Sequence, residues 1–198
     1  MCNETTPWER AVEFHGHVCP GLAMGFRAAQ EAMERLDANR SQDEEIVSLV
    51  ETDACGVDAV QVLTGCTYGK GNLIYRDLGK QAFTFGVRGR SEGIRVALKY
   101  GAMENQAPEG WRNLREKVFG GEATDQEKEQ FHQLHQKFTQ QLLEVPLEEI
   151  MEVSRVPLEL PPKARIYSTV QCAHCGEGVM EPRARVKEGQ IACGDCAS

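Results

Sequence analysis

The sequence predicts an α+β fold in which helices pack on a mainly antiparallel sheet, with a small zinc-binding module appended at the C-terminus. Three observations predict it. Apolar residues recur at helical spacing in long segments, β-branched and aromatic runs of strand length fall between Glu45 and Leu98, and four of the eight cysteines lie after Gln171.

The first element is a short helix to about Phe14. Thr6, Pro7 and Glu9 supply a hydroxyl cap, a proline at the first helical position and a capping-box glutamate. A turn-like segment from His15 to Gly21 precedes a core helix, whose stripe is Leu22, Phe26, Ala29, Met33 and Leu36. Glu45 to Thr52 reads as a strand. Asp53 is then expected to cap a helix with Val57, Val60 and Thr64 on one face, ending at Gly65. Leu73 to Arg76 and Ala82 to Val87 read as two strands of a hairpin around Asp77 to Lys80, with a third strand near Ile94 to Leu98. Two helices follow, one from about Glu109 to Val118 and one from Thr124 to Pro146, the second carrying Phe131, Leu134, Phe138 and Leu142. The prolines of VPLELPPKAR make residues 156–165 a stiff linker between a core of residues 1–155 and a finger of residues 166–198.

With 41% hydrophobic and 26% charged residues the chain is of ordinary globular composition, neither disordered nor membrane-embedded. MCNETTPWERAVEF lacks the basic flank and apolar stretch of a signal peptide, so a cytoplasmic location is expected. In a reducing compartment eight cysteines point to metal or thiol chemistry and away from a disulfide framework. A net charge of -8 argues against nucleic-acid binding by the core. Arg183, Arg185 and Lys187 leave the finger's relation to nucleic acid open, a solvated edge being the competing reading.

Cys172 and Cys175 form one CxxC, and Cys193 and Cys196 a second. Two such turns bring four thiolates into a closed tetrahedron, a structural zinc site with no open position for chemistry. His174 inside the first turn is not needed as a ligand. The string CAHCGEGVMEPRARVKEGQIACGDCA resembles the zinc finger of DksA/TraR-type transcription regulators. That likeness implies a finger fold and a zinc site only.

The core holds a second set of metal-type residues. His15, His17 and Cys19 alternate in FHGHVCPG, so an extended backbone would project them from one side. Cys55, expected at the second position of the Asp53-capped helix, meets unpaired backbone N–H groups that favour a thiolate able to ligate or attack. Asp58, one turn on, is placed to orient a ligand histidine or to make an ordinary salt bridge. Cys66 would stand about 16 Å from Cys55 across eleven residues of helix, outside any shared shell. It opens TGCTYGKGN, where backbone donors with Lys70 and Asn72 are candidates to cradle a small anion. His132 and His135, on the late helix, are read as structural.

FHGHVCPGLAMGFRAA, DACGVDAVQVLTGCTYGKGNL and the segment around DLGKQAFTF together resemble FmdE, a family named for its association with formylmethanofuran dehydrogenase, over roughly the first 150 residues. The resemblance implies an α+β core, a C-terminal treble-clef finger in many members, and homodimers. It carries over His15, His17, Cys19, Asp53, Cys55, Asp58, Thr64, Cys66, Thr67, Gly69 and Asn72 as motif residues. The family name also suggests a role accessory to a molybdenum or tungsten formylmethanofuran dehydrogenase-like oxidoreductase, without fixing a reaction.

Three functions follow as expectations. The first is a metal protein holding a second divalent ion at His17, Cys19 and Cys55. The second is a thiol site in which Cys55 or Cys66 reacts and the TGCTYGKGN loop binds an anionic substrate, Asp58 and Lys70 being the other catalytic candidates. The third is a non-catalytic scaffold whose finger mediates dimerisation or partner contact.

Overall fold

The structure is a computed structural model describing residues 5–198. It comprises two compact units, one ending at Lys163 and one from Ala164 to Ser198.

The larger unit begins with α1 (Pro7–His15), where Thr6 and Glu9 form the expected capping box. Helix α2 (Pro20–Arg35) follows almost at once, and its buried face carries Leu22, Phe26, Ala29 and Ala32. Strand β1 (Ile46–Val50) is buried at every position, which its apolar run anticipates for a central strand. Helix α3 (Gly56–Thr64) then crosses over and returns the chain to β2 (Leu73–Tyr75), parallel to β1. Strands β3 (Ala82–Val87) and β4 (Glu92–Leu98) pair antiparallel, with β3 on the other side of β1.

The expected hairpin of residues 73–76 with 82–87 is therefore corrected. Both strands flank β1 instead of each other, in the order β2-β1-β3-β4-β5. A helix between β1 and β2 makes a parallel crossover, which leaves the opposite edge of β1 for β3.

Short α4 (Ala102–Gln106), α5 (Trp111–Phe119) and the long α6 (Asp125–Glu144) form a helical arm, with Thr124 and Glu127 giving a second capping box. One turn, α7 (Leu147–Ile150), leads into β5 (Met151–Pro157), which pairs with β4 along its whole length. The first two positions assigned to the linker are thus strand residues. Val156 and Pro157 lie opposite Gly93 and Glu92, and a proline is tolerated at the end of an edge strand. Leu158 packs over Gly86 and Gly93, and Arg88 donates to the Pro161 carbonyl at 2.7 Å.

Phe83, Phe85, Ile94 and Val96 from the sheet meet α2 and α6 in one apolar core that includes Phe138 and Leu142. Among the described residues no helix is long and apolar enough to cross a membrane, and all seven cysteines are free.

In the smaller unit β6 (Thr169–Gln171) pairs with β7 (Gly178–Met180), a 3-10 turn spans Glu181–Arg183, and β8 (Arg185–Lys187) pairs with β9 (Gln190–Ala192). A final turn, α8 (Gly194–Ala197), closes it.

Candidate metal centres

Two adjoining helix ends build the core cluster. Gly16, at φ 89°, carries the backbone out of α1 and donates to the Val12 carbonyl at 2.8 Å. Pro20 opens α2 and holds the preceding residue extended, so Cys19 takes φ -151° and ψ 158° as the N-cap. Its sulfur accepts the Leu22 N–H at 3.3 Å. This four-residue link brings a donor atom of each of His15, His17 and Cys19 within 4.8 Å of the others. The extended row expected for 15–19 is thus a helix-to-helix turn, reaching the same convergence by a different backbone.

His15 is the member whose orientation is most determined. Its Nδ1 lies 2.7 Å from Asp58 Oδ2, and a carboxylate only accepts, so the ring proton sits on Nδ1. Nε2 is left with its lone pair 3.7 Å from Cys19 Sγ. A carboxylate behind a histidine is the usual support of a metal-ligating imidazole. Asp58 is in turn held by Gln61, whose amide donates to Oδ1 at 3.3 Å.

Cys55 reaches the site through close contact of two helices. A Cβ on Gly25 would fall 2.0 Å from the Gly56 carbonyl oxygen, so α2 and α3 touch backbone to backbone. A Cβ on Gly21 would lie 3.8 Å from Cys55 Sγ and 4.0 Å from Cys19 Sγ, so both sulfurs flank one glycine. Cys55 is nonetheless not among the three clustered donors, where His15 stands instead. The position expected for Cys55 is also corrected: α3 starts at Gly56, Cys55 is its N-cap without a side-chain cap bond, and Asp53 lies outside the helix. The Thr52 hydroxyl, accepting the Ala54 N–H at 3.2 Å, turns the chain there. Burial pushes the Cys19 thiol up to about 11, against the Leu22 N–H and helped by neighbouring Cys55.

The remaining candidates lie elsewhere. Cys66 is completely buried, donating to the Ile46 carbonyl and accepting from Ser48, both at 3.3 Å, and burial raises its pKa. Lys70 Nζ donates to the carbonyls of Gln42 and Asp43 at 3.3 and 3.0 Å. Asn72 bonds Thr67 N–H and the carbonyls of Asp43 and Ile46. The polar groups of TGCTYGKGN are thus used to pin the loop to residues 42–46.

A cavity of about 500 Å³ opens beside the cluster, lined by His17, Cys19 and Cys55 and by Trp111, Arg115 and His135 from the helical arm. His135, which its sequence context marks only as structural, is the site residue that local pattern misses. Trp111 donates its indole N–H to His135 Nδ1 at 3.2 Å, and the two rings lie parallel to within 7°. Burial first, and then the proximity of His17, hold this imidazole below its ordinary pKa. Only tertiary packing reveals the link, because more than 100 residues separate the two histidines. A larger cavity of about 840 Å³, lined by Lys80, Arg95 and Tyr100 among others, holds no ligating cluster among the described residues.

The finger gathers Cys172, Cys175, Cys193 and Cys196 with all sulfurs within 4.8 Å of one another. Backbone N–H groups of Cys175 and Cys193 pull Cys172 down to about 6, whereas the neighbouring thiols, Cys193 first, push Cys196 up to about 12. Four thiols so close cannot all ionise unless a cation sits among them, so the donor set fits one tetrahedral metal ion such as zinc.

Fold and sites together define a metal-binding α+β protein with a four-cysteine finger. The family model described as "FmdE, Molybdenum formylmethanofuran dehydrogenase operon" matches residues 14–152, and the chain belongs to this family. A curated relative from Archaeoglobus fulgidus, described as a "Probable S-adenosyl-L-methionine-binding protein", is 37% identical over 193 residues, covering 95% of this chain and 51% of the relative. The chain thus spans about half of that protein's length. A crystal structure of a tungsten formylmethanofuran dehydrogenase FmdE-like protein from Syntrophus aciditrophicus superposes with a TM-score of 0.60 at 25% identity, over 96% of this chain and 91% of that one.

Proposed function

We propose that the chain is a two-metal protein, with structural zinc in the finger and a second divalent ion in the core at His15, His17 and Cys19, with Cys55 beside them. The convergence of three donors within 4.8 Å, one of them backed by a carboxylate, is the observation that carries this reading. A mixed imidazole and thiolate set suits zinc, cobalt, nickel or iron. A bound ion would supply Lewis acidity at an open position toward the cavity. The protein's own residues divide the work around it: Asp58 orients His15, Leu22 N–H steadies the Cys19 sulfur, and the α2 and α3 glycines keep Cys55 in place.

Metal analysis of the full chain tests it. Two equivalents are expected, falling to one in Cys19→Ala and to one in Cys175→Ala. One equivalent in the wild type, unchanged by Cys19→Ala, refutes the core site.

A second reading concerns the cavity. Its size and aromatic wall suit an organic ligand. The name of the Archaeoglobus relative makes S-adenosyl-L-methionine the first compound to titrate calorimetrically. The family's description supports a role beside a molybdenum enzyme, which co-purification with such an oxidoreductase would test.

A further inference from the structure

We propose that His135 is a ligand-binding residue of the core site, a fixed hydrogen-bond donor to a small anion held between the His15/His17/Cys19 cluster and the helical arm. The inference rests on the core-metal reading above and goes beyond it by assigning a ligand class and a residue that recognises it.

The hydrogen bond from Trp111 fixes the tautomer. An indole N–H only donates, so His135 Nδ1 must accept, and the neutral ring therefore carries its proton on Nε2. Protonated Nε2 cannot ligate a metal. His135 thus differs from His15, whose proton is fixed on Nδ1 by Asp58 and whose Nε2 is free to ligate. His15 in the donor cluster and His135 in the wall of the cavity beside it are held in opposite tautomers by their partners, one suited to bind a cation and the other to donate to an anion.

The wall around His135 favours the same charge. Its pair with Trp111 is packed against Phe131 and Phe138, so the imidazole is held in place by rings. Arg115 lies over the rings of Trp111 and Phe119, at 5.8 and 5.3 Å from their centroids. Among the described residues neither Arg112 nor Arg115 has a carboxylate within 4 Å, although Glu104 and Glu116 line the same cavity. An anion at the cluster would meet a positive ion on one side and an N–H with two guanidinium groups on the other. Trp111 is the positioning residue, since its indole N–H selects the tautomer.

Cobalt(II) and azide provide the test on the full chain with zinc in the finger. A four-thiolate site offers no open position, so an azide-dependent change in the cobalt visible spectrum reports on the core alone. His135→Phe is expected to weaken azide binding about tenfold, the worth of one hydrogen bond to a charged group, while leaving cobalt affinity unchanged. His135→Gln, which keeps an N–H donor, should recover most of the loss, and Trp111→Phe should lose several-fold. Unchanged azide affinity in His135→Phe overturns the inference, as does loss of cobalt itself from that variant. Cobalt that binds the core but ignores azide also overturns it, and leaves the metal reading standing. A wild-type chain that takes up no core cobalt overturns both.

Discussion

Replacing Gly25 by alanine tests the link between helix packing and the core site. The new methyl would lie 2.0 Å from the Gly56 carbonyl oxygen and 2.4 Å from its Cα, where real Cβ atoms keep at least 3.0 Å. The obstacle is backbone, so α2 and α3 must separate by about 1 Å. Overpacking of this kind costs about 3 kcal/mol, and removing a glycine from a helix interior returns about 1 kcal/mol, for a net loss near 2 kcal/mol. With a urea dependence of about 2 kcal/mol per molar, the unfolding midpoint should fall by about 1 M. The same shift of about 1 Å draws Asp58 on α3 away from His15, whose 2.7 Å contact orients that imidazole, and loss of such a carboxylate partner weakens metal binding by about 10-fold to 100-fold. Core metal should therefore bind more weakly while the finger keeps its ion. Urea titration and metal analysis of one preparation check both parts. An unshifted midpoint with full core occupancy would refute the reasoning.

Two further predictions follow from single contacts. Asp58→Asn keeps the shape but removes the charge behind His15, and core metal affinity should drop by about 10-fold to 100-fold, read by competition with a chromophoric chelator. An equal loss from the finger would show that the effect is not local. Glu45, held at about 2 first by the Ser41 hydroxyl and then by backbone N–H groups including that of Asp43, supplies a pH dependence. Its folded pKa is depressed, so its contribution is complete above about 4.5 and disappears as pH falls toward 2. Glu45→Gln should flatten the fall in urea midpoint across that window, and parallel profiles for variant and wild type would count against the role.

Much of this arrangement is legible in local chemistry. Both capping boxes lie where Thr6 with Glu9 and Thr124 with Glu127 place them, because each box is closed within four residues. The finger follows equally from two CxxC turns, whose ligands need little beyond their own loops to converge. The FHGHVCPG motif marks the core site but not its backbone. Alternation suggests a strand, whereas Gly16 ends one helix and Pro20 begins another. The pairing of strands is also out of local reach, since β2 and β3 have equal claims on each other until α3 decides which edge of β1 each takes.

From residue types alone one can therefore conclude that this is an α+β metal protein with a self-contained four-cysteine finger and a histidine and cysteine cluster near residue 17. Tertiary structure decided which groups surround that cluster. His15 becomes oriented because α3 brings up Asp58, Cys55 approaches because glycines let two helix backbones touch, and His135 enters because α6 packs beside Trp111. Each of these contacts joins groups at least 24 positions apart, and spacing along a chain specifies proximity only where the segment between is too short to go elsewhere.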